Sequence, residues 1–195
     1  MKSIKVTPEE MSRRMARFKN LGSYQNQNEA NGVPAAVMEK LAAHRVYPLM
    51  VPETYTGRSA QAPIKGAPGM VLSIAECPPG NGPSMHIHEH TIENFFCLSA
   101  RFEIAWGDPG AEHSVVLEPL DFISVPPGVP RKFTNVHETE TGRLFVLIQV
   151  PTKEQSDNVA FQPELRAEIE RKHGRQAVAA LDRIGVRFDA GVDDR

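Results

Sequence analysis

Residues 80–93 read Gly80-Asn-Gly-Pro-Ser-Met-His86-Ile-His88-Glu-His90-Thr-Ile-Glu93, and this stretch is the most informative in the chain. It contains three of the seven histidines of the protein, all within five consecutive positions. His86 and His88 are two residues apart, so on a β-strand both imidazoles point to the same face of the sheet. Glu93 begins the next apolar run, Glu-Asn-Phe-Phe-Cys-Leu. If that run is an antiparallel neighbour, its first carboxylate lies beside both imidazoles.

This set of side chains has the composition of a metal site. Two neutral imidazoles and one carboxylate on one side of an ion leave its other positions open, as in the 2-His-1-carboxylate sites of non-haem iron(II) oxygenases. We therefore predict that His86, His88 and Glu93 hold one divalent metal ion, with iron preferred and manganese, nickel or zinc as alternatives. His90 has the strand parity of His88 but falls where the chain should turn, so it is a further ligand candidate. The competing interpretation is a polar barrel mouth that binds no ion.

Residues 46–151 have the pattern of a β-rich domain. Short runs of Val, Ile and Phe alternate with Pro and Gly turns, and Gly107-Asp108-Pro109-Gly110 is a strong hairpin turn. Many short strands at regular spacing, with no long helix between them, predict an antiparallel sandwich or barrel. The predicted strands include residues 70–74, 93–98, 101–106, 114–117, 121–125, 131–134 and 144–150.

The N-terminal part of the chain has a helical pattern. Thr-Pro-Glu-Glu at residues 7–10 predicts a helix start, because Thr can cap, Pro suits the first helical position and the second Glu completes a capping box. The polar residues 23–31 interrupt this pattern. A second helix is predicted from Pro34 to about Arg45.

The C-terminal part has a helical pattern as well. Pro163 opens a predicted helix that Gly174 closes, and another helix is predicted over residues 176–184. The tail from Gly185 onward is polar and acidic and is predicted to be loose. The predicted division of the chain is therefore a helical N-terminal extension at 1–45, a barrel at 46–151, and a C-terminal helical extension and tail at 152–195.

Composition and charge fit one ordinary globular domain. The chain has 195 residues, of which 41% are hydrophobic and 24% charged, and this length is enough for one full core. The formal net charge of −2 is small, so we expect neither nucleic acid nor a membrane as a partner. With two cysteines, no secretory apolar region at its start and no apolar run of membrane-spanning length, we expect a cytoplasmic protein.

Residues around this stretch resemble the two sequence motifs of the cupin superfamily. The residues that fit the first motif in register are Gly80, His86, His88 and Glu93. The residues that fit the second motif are Pro126, Gly128 and Asn135. The resemblance covers roughly residues 67–150. It implies an all-β fold, the cupin double-stranded β-helix or jelly-roll barrel, here with helical N- and C-terminal extensions, and by family analogy a homodimer.

Three positions depart from these motifs. Ala100 and Leu120 stand where the family has Gly at turns that tolerate a positive φ. Either those turns differ in shape or a strain of about 1 kcal/mol is accepted. Arg131 stands where the family's histidine completes a site of three histidines and one glutamate. A guanidinium has no acceptor and stays protonated, so Arg131 cannot ligate a metal.

Arg131 leaves three arrangements open. In the first, the three predicted ligands hold the metal alone, and Arg131 anchors an anionic group of the substrate. In the second, Arg131 pairs with Glu93 and the barrel holds no metal. In the third, His90 or His137 supplies the missing ligand. We favour the first, because the two neighbouring histidines are otherwise unexplained.

The resemblance implies several functions, since cupins include many different enzymes and non-enzymes. We expect a mononuclear, dioxygenase-like metal oxidoreductase that acts on a small anionic organic substrate, with Arg131 as the substrate anchor. If Glu93 points inward, Phe95 and Cys97 share its parity and line the pocket. The alternatives are a non-catalytic ligand-binding cupin, an accessory subunit with a degenerate metal site, or a cupin isomerase or decarboxylase.

Overall fold

The computed structural model of the protein describes residues 2–66, 68–108, 110–149 and 159–191. Its α-helices are α1 (Pro8–Ser12), α2 (Tyr24–Ala30), α3 (Ala35–Leu41), α4 (Pro163–His173) and α5 (Arg175–Arg183), with a 3₁₀ helix at Phe18–Asn20. Its strands are β1 (Arg45–Pro52), β2 (Ile64–Gly66), β3 (Met70–Cys77), β4 (His86–His88), β5 (Ile92–Ser99), β6 (Phe102–Trp106), β7 (His113–Leu117), β8 (Phe122–Val125), β9 (Arg131–Asn135), β10 (Gly142–Gln149) and β11 (Val159–Phe161).

The strands form two sheets around one apolar core. The six-stranded sheet has the order β2-β1-β3-β10-β5-β8, and the five-stranded sheet has the order β11-β4-β9-β6-β7. Strand β2 runs parallel to β1, and the other paired strands are antiparallel. From β3 to β11 the chain crosses between the sheets after nearly every strand, as a jelly roll does. The predicted all-β jelly-roll barrel with helical extensions is therefore confirmed.

The predicted strands are present, and three further strands, β1, β2 and β11, were not predicted. The hairpin of β6 and β7 pairs Trp106 with His113 across the predicted turn, of which Pro109 lies outside the described residues. Strand β1 was missed because it contains Pro48, which cannot donate to a ladder; the β1–β3 register shifts just after it. The three-residue strands β2 and β11 were missed as well.

The N-terminal helices agree with the sequence patterns only in part. The capping box of α1 is confirmed, since the Thr7 hydroxyl accepts from the Glu10 N–H and the Glu10 carboxylate accepts from the Thr7 N–H. The predicted interruption over residues 23–31 is wrong, because α2 lies there. Its Gln25 amide is buried and bonds the backbone at the start of β1, accepting from the Val46 N–H at 3.0 Å. Tertiary hydrogen bonds thus stabilise a helix that composition does not favour.

The predicted C-terminal helices are confirmed as α4 and α5, and Gly174 between them has a φ of 82°. The tail is not loose throughout: Val186 is buried and the Arg187 N–H donates to the Val159 carbonyl. Residues 192–195 lie outside the described residues. The predicted boundary at 151/152 also lies outside the described residues. The division of the chain into three parts therefore stays a prediction. None of the helices in the described part has the length and apolarity that a membrane span requires.

Aromatic rings occupy much of the space between the sheets. Phe95 of β5 packs edge-on against Phe133 of β9, with ring centroids 5.3 Å apart, and Phe102 of β6 contacts the same ring. All three are buried, and burying each side chain stabilises the fold by about 1.5–3 kcal/mol. The polar group described next lies in the same space between the sheets, and its side chains are buried.

Candidate metal centre

His86 and His88 both point into the barrel from β4. Their side chains are buried, while Ile87 between them is only half-buried on the opposite face. Strand β4 is held on one side by β11 and on the other by β9, where His86 is in register with Arg131. The alternation of a strand therefore places both imidazoles in the interior, as the two-residue spacing predicts.

Glu93 approaches the histidines from the other sheet. It lies on β5, between β10 and β8, and its side chain is buried. The sequence interpretation placed its strand beside that of the histidines; instead β4 and β5 belong to opposite sheets. The carboxylate therefore reaches the imidazoles across the interior of the barrel and not along one sheet.

The three side chains converge on one point. The Glu93 Oε2 atom lies 3.3 Å from His88 Nε2 and 3.7 Å from His86 Nε2. One ligand atom from each residue lies within 4.8 Å of the others. Oε2 is buried and makes no hydrogen bond of good geometry within the described part of the chain. Ligand atoms about 2.1 Å from a common ion are separated by about 3–4 Å, so these distances suit a divalent metal.

The outer nitrogen of each ring is held by a hydrogen bond. His86 Nδ1 lies 2.9 Å from the Ser84 carbonyl oxygen, which can only accept, so Nδ1 carries the proton and Nε2 has a free electron pair. His88 Nδ1 lies 3.1 Å from the Thr91 hydroxyl. Such partners orient metal-ligating histidines and fix their tautomer. Ser84 and Thr91 were not singled out in the sequence, although both lie within the informative stretch.

The protonation states also suit a metal site. Burial lowers the pKa of His86 more than the neighbouring Glu93 carboxylate raises it, so the ring is neutral near pH 7. Burial alone would raise the pKa of Glu93, but His88, His86 and Arg131 together outweigh it and lower that pKa to about 2. A neutral imidazole and an ionised carboxylate are the forms that bind metal ions.

Arg131 lies beside the carboxylate. It is fully buried, its Nε is 3.5 Å from Glu93 Oε2, and its Nη2 donates to the Pro126 carbonyl at 3.2 Å. The position where the sequence predicts a missing ligand is thus occupied by a cation that faces Glu93. This contact is the one described in the second of the three arrangements left open by the sequence.

The other candidate histidines lie away from this point. His90 is 47% exposed, and its Nε2 is 3.5 Å from the Glu89 carboxylate. His137 follows β9, and its Nδ1 accepts from the backbone N–H groups of Thr139 and Glu140. Neither belongs to the converging group, so the structure does not bring His90 or His137 in as a fourth ligand.

A cavity of about 80 Å³ opens beside the three ligands. Its walls come from both sheets, with Val71 and Ile148 on one side and Val159 on the other, and also from α2 and the β1–β2 connection. The prediction that Phe95 and Cys97 line the pocket does not agree with this wall. Both are fully buried in the apolar core, because inward parity places a side chain inside the barrel without specifying its depth.

Comparison with known proteins identifies the fold family. The sequence profile described as "Cupin domain" matches residues 73–148, which include both histidines, the glutamate and Arg131. The chain carries a cupin domain. The family resemblance seen in the two motifs is therefore confirmed, and the matched residues run from β3 to β10 of the jelly roll.

Solved structures similar to this cupin are distant in sequence. An oxalate oxidase structure matches at 14% identity with a TM-score of 0.51, covering 87% of this chain and 79% of that one. The cupin domain of a Schizosaccharomyces pombe protein matches at 21% identity with a TM-score of 0.40, covering 45% and 60%. The capsular polysaccharide assembling protein CapF of Staphylococcus aureus matches at 13% identity with a TM-score of 0.45, covering 59% and 30%. The chain thus spans 60% or less of these last two proteins. No curated protein matches it.

The two residues that replace motif glycines, Ala100 and Leu120, both have a positive φ. Ala100 has a φ of 60° and Leu120 a φ of 78°, so the turns keep the shape that the family's glycines adopt. The chain therefore accepts the steric strain of a side chain there, on the order of 1 kcal/mol at each position.

The donor set of this cupin can hold a metal ion. Two oriented imidazoles and an ionised carboxylate face a common point, and one buried carboxylate oxygen there lacks a good hydrogen bond. Arg131 nearby weakens the site, since it attracts the same oxygen and repels a cation. The residues could therefore bind a divalent ion as three ligands, with one ligand fewer and one positive charge more nearby than a cupin site whose third histidine is the fourth ligand.

Proposed function

We propose that this cupin is a mononuclear metal oxygenase with a non-haem iron-like centre that acts on a small anionic organic substrate. The observation that carries the proposal is the buried group of His86, His88 and Glu93, which converges at the wall of a cavity. Iron suits two imidazoles and one carboxylate with open positions, and manganese, nickel and zinc suit the same donors. Such an iron would supply the redox chemistry by which molecular oxygen reacts with an organic molecule.

The residues of the chain have separate tasks in this proposal. Ser84 and Thr91 hold the two rings in orientation, and Glu93 keeps its negative charge because its pKa is about 2. The apolar walls around Val71 and Ile148 limit the access of water to the cavity. Arg131 acts on the ligand Glu93 and does not act as the substrate anchor, since no part of it is exposed.

A second function is favoured by the contact between Arg131 and Glu93. The guanidinium attracts the only carboxylate of the group, with 3.5 Å between Nε and Oε2. If this pair excludes the metal, the protein is a non-catalytic ligand-binding cupin or an accessory subunit with a degenerate site. A third function, isomerisation or decarboxylation at a bound metal, uses the same open-sided donor set. The fold shared with oxalate oxidase at 14% identity does not separate these functions.

Metal content separates the first function from the second. We would purify the wild type and a His86→Ala/His88→Ala variant anaerobically, reconstitute both with Fe(II), and count metal per chain by mass spectrometry. A His90→Ala/His113→Ala variant is the matched control, because both of these rings are exposed. The proposal expects about one ion per chain in the wild type and control, and almost none in the His86/His88 variant.

Two results would contradict the oxygenase function. A wild type that binds no Fe(II), Mn(II), Ni(II) or Zn(II) means that Arg131 has disabled the site, and the non-catalytic function is then correct. A wild type that binds iron but consumes no oxygen with any of a panel of small carboxylic acids, while converting one of them, supports isomerisation or decarboxylation. Oxygen uptake that disappears in the His86/His88 variant supports the oxygenase.

We also propose that the protein is a cytoplasmic homodimer whose partner is a small molecule and not nucleic acid or a membrane. The net charge of −2 supports the choice of partner, and family analogy supports the dimer. Sedimentation of the purified chain tests the dimer directly: a single species at the mass of one chain would contradict it.

A further inference from the structure

The outer face of the six-stranded sheet carries a row of large apolar and aromatic side chains, one from each of five neighbouring strands. Each member of this apolar row is in register with the next, and the members are Tyr47, Ile74, Phe145, Phe96 and Phe122. A chain neighbour of each one lies in the core or packs against it, so strand alternation turns the row outward. An antiparallel sheet with one face in water carries polar side chains there. This face is therefore suited to contact another surface.

The apolar row is most exposed at its β8 end. Phe122 is 59% exposed, and Leu98 nearby on β5 is 39% exposed. In the adjoining row, Leu72 of β3 and Leu147 of β10 are paired and only half-buried. Contiguous apolar side chains on the surface of a soluble protein mark an interaction site.

The N-terminal arm, residues 2–16, also has apolar side chains that nothing in the described chain covers. Ile4, Val6, Met11 and Met15 are between 46% and 88% exposed, and helix α1 has no buried residue. Every hydrogen bond and ion pair that the structure describes for the arm joins two of its own residues. The arm thus has a capped helix and an apolar surface, but no described polar contact with its own barrel.

Phe18 fixes the place where the arm leaves the barrel. Its ring packs edge-on against Tyr47, with centroids 4.8 Å apart, and the Arg143 guanidinium lies 4.7 Å from the centroid of the same ring. The arm therefore starts at the Tyr47 end of the apolar row. Phe122 is at the other end, four strand spacings or roughly 20 Å away.

Charge distinguishes the two ends of the row. From Lys2 to Lys19 the chain has six basic and two acidic side chains, a net charge of +4, whereas the other residues have 16 basic and 22 acidic side chains, a net charge of −6. At the far end, Glu118 and Asp121 are exposed next to Phe122. A two-fold axis through the middle of the face brings the basic arm of each copy to the acidic end of the other.

The size of the face shows that the arms are needed. Five strands and three outward side chains along each strand measure roughly 20 by 14 Å, or about 300 Å². Each partner of a stable complex buries about 800 Å². Two faces alone would therefore make a weak contact, and the apolar side chains of the exchanged arms supply the additional area.

We infer that the outer face of the six-stranded sheet is the docking surface for a second copy of this chain, and that each copy lays its N-terminal arm over the β8 end of the other. A second copy is the favoured occupant because one chain carries both halves of the interaction, the basic apolar arm and the acidic apolar end. The inference deepens the homodimer proposed above and rests on it. It is independent of the chemistry at the metal ligands.

Sedimentation of the full chain over a range of concentrations gives the dissociation constant of the dimer. The face variant is Phe122→Lys, and the arm variant is Met11→Glu/Met15→Glu; all three side chains are about half exposed. Val116→Lys is the matched control, because Val116 is 40% exposed on β7 of the other sheet. Thermal unfolding and zinc content are measured for every variant.

The dissociation constant of the dimer is expected to rise at least tenfold in the face variant and in the arm variant, because each loses apolar contact across the interface. Val116→Lys stays within twofold of the wild type. Zinc content stays unchanged throughout, since none of the substituted side chains reaches the ligands. A dimer that both variants leave within twofold of the wild type would show that another surface is used, and would overturn the inference while the homodimer stands.

Cross-linking tests whether the arm reaches the other copy. A Met11→Cys/Phe122→Cys variant is treated with a short bis-maleimide, to which the native thiols do not contribute because Cys77 and Cys97 are fully buried. The expected product is a covalent dimer, which neither single variant gives. A link within one chain would show that the arm covers its own face, and the inference is then wrong. A wild type that sediments as a single chain at every concentration overturns the inference and the homodimer together, and leaves the metal-dependent function to its own test.

Discussion

The Nε atom of Arg131 lies 3.5 Å from the Oε2 atom of Glu93, and the two side chains are 0% and 6% exposed. Both charges are thus removed from water, and the two side chains face each other. A buried pair of this kind adds little net stability, yet breaking it leaves an uncompensated charge in the interior. The stability of the fold therefore depends more on Arg131 than it would on an arginine at the surface.

Replacing Arg131 by Met is expected to lower the free energy of unfolding of the metal-free protein by about 3–5 kcal/mol, because Glu93 remains buried without its cation. Urea denaturation of the metal-free chain measures this. Arg101→Met is the matched control, since Arg101 pairs with Glu118 at the surface and should contribute less than about 1 kcal/mol. Equal losses of unfolding free energy in the two variants would show that the buried pair contributes no more to stability than the exposed one.

Replacing Arg131 by His is expected to tighten metal binding at least tenfold. The position is in register with His86 across β4 and β9, so the new imidazole adds a ligand and removes a repelling charge. Competition with a chromophoric chelator for Zn(II) gives the dissociation constants. Arg131→Gln separates the two effects, because it removes the charge without adding a ligand. A histidine variant that binds zinc no tighter than the wild type contradicts the expectation.

Leu120→Gly is expected to stabilise the protein by about 1 kcal/mol. Leu120 has a φ of 78° and is 74% exposed, so glycine relieves steric strain and loses few contacts. Leu120→Ala keeps the Cβ atom and with it the strain, so it should change stability little. Thermal and urea unfolding of the three proteins test this. Glycine and alanine variants of equal stability would mean that the strain is negligible.

Both thiols are expected to be unreactive in the folded protein. Burial raises the pKa of Cys77 to about 12 and that of Cys97 to about 11, from an ordinary value of 9.0. At pH 8 neither should react with a disulfide reagent until urea unfolds the chain. Because both pKa values are raised, the stability that the protonated thiols contribute is complete below about pH 9 and declines as the pH rises toward 11–12. Rapid labelling at pH 8 without urea would contradict the burial of both residues.

The spacing of the histidines was enough to predict that both rings face the interior, because strand alternation is a local property. His86 and His88 could be assigned to one face from sequence, and Glu93 was chosen because it begins the next apolar run. The sheet to which each strand belongs is a long-range property. This is why β4 and β5 were expected side by side when they face each other across the barrel.

Other features of the site depend on depth and on distant contacts. Phe95 and Cys97 have the inward parity of Glu93, yet they lie deeper in the core than the cavity reaches. Arg131 could be recognised as a departure from the family pattern, but its partner became clear only from the geometry. The β1–β2 connection had no signal in the sequence, since it reaches the cavity wall from outside both motifs.

The β1–β2 connection and the short strand β4 are separate parts of one cavity wall. Part of the cavity wall and the proposed metal ligands are therefore carried by stretches of chain that are independent of each other in sequence. Residues 53–63 can be exchanged, in a laboratory graft or in the divergence of related genes, without any change to the strands that present the imidazoles and the carboxylate. Selectivity and reactivity in this protein can then evolve one at a time.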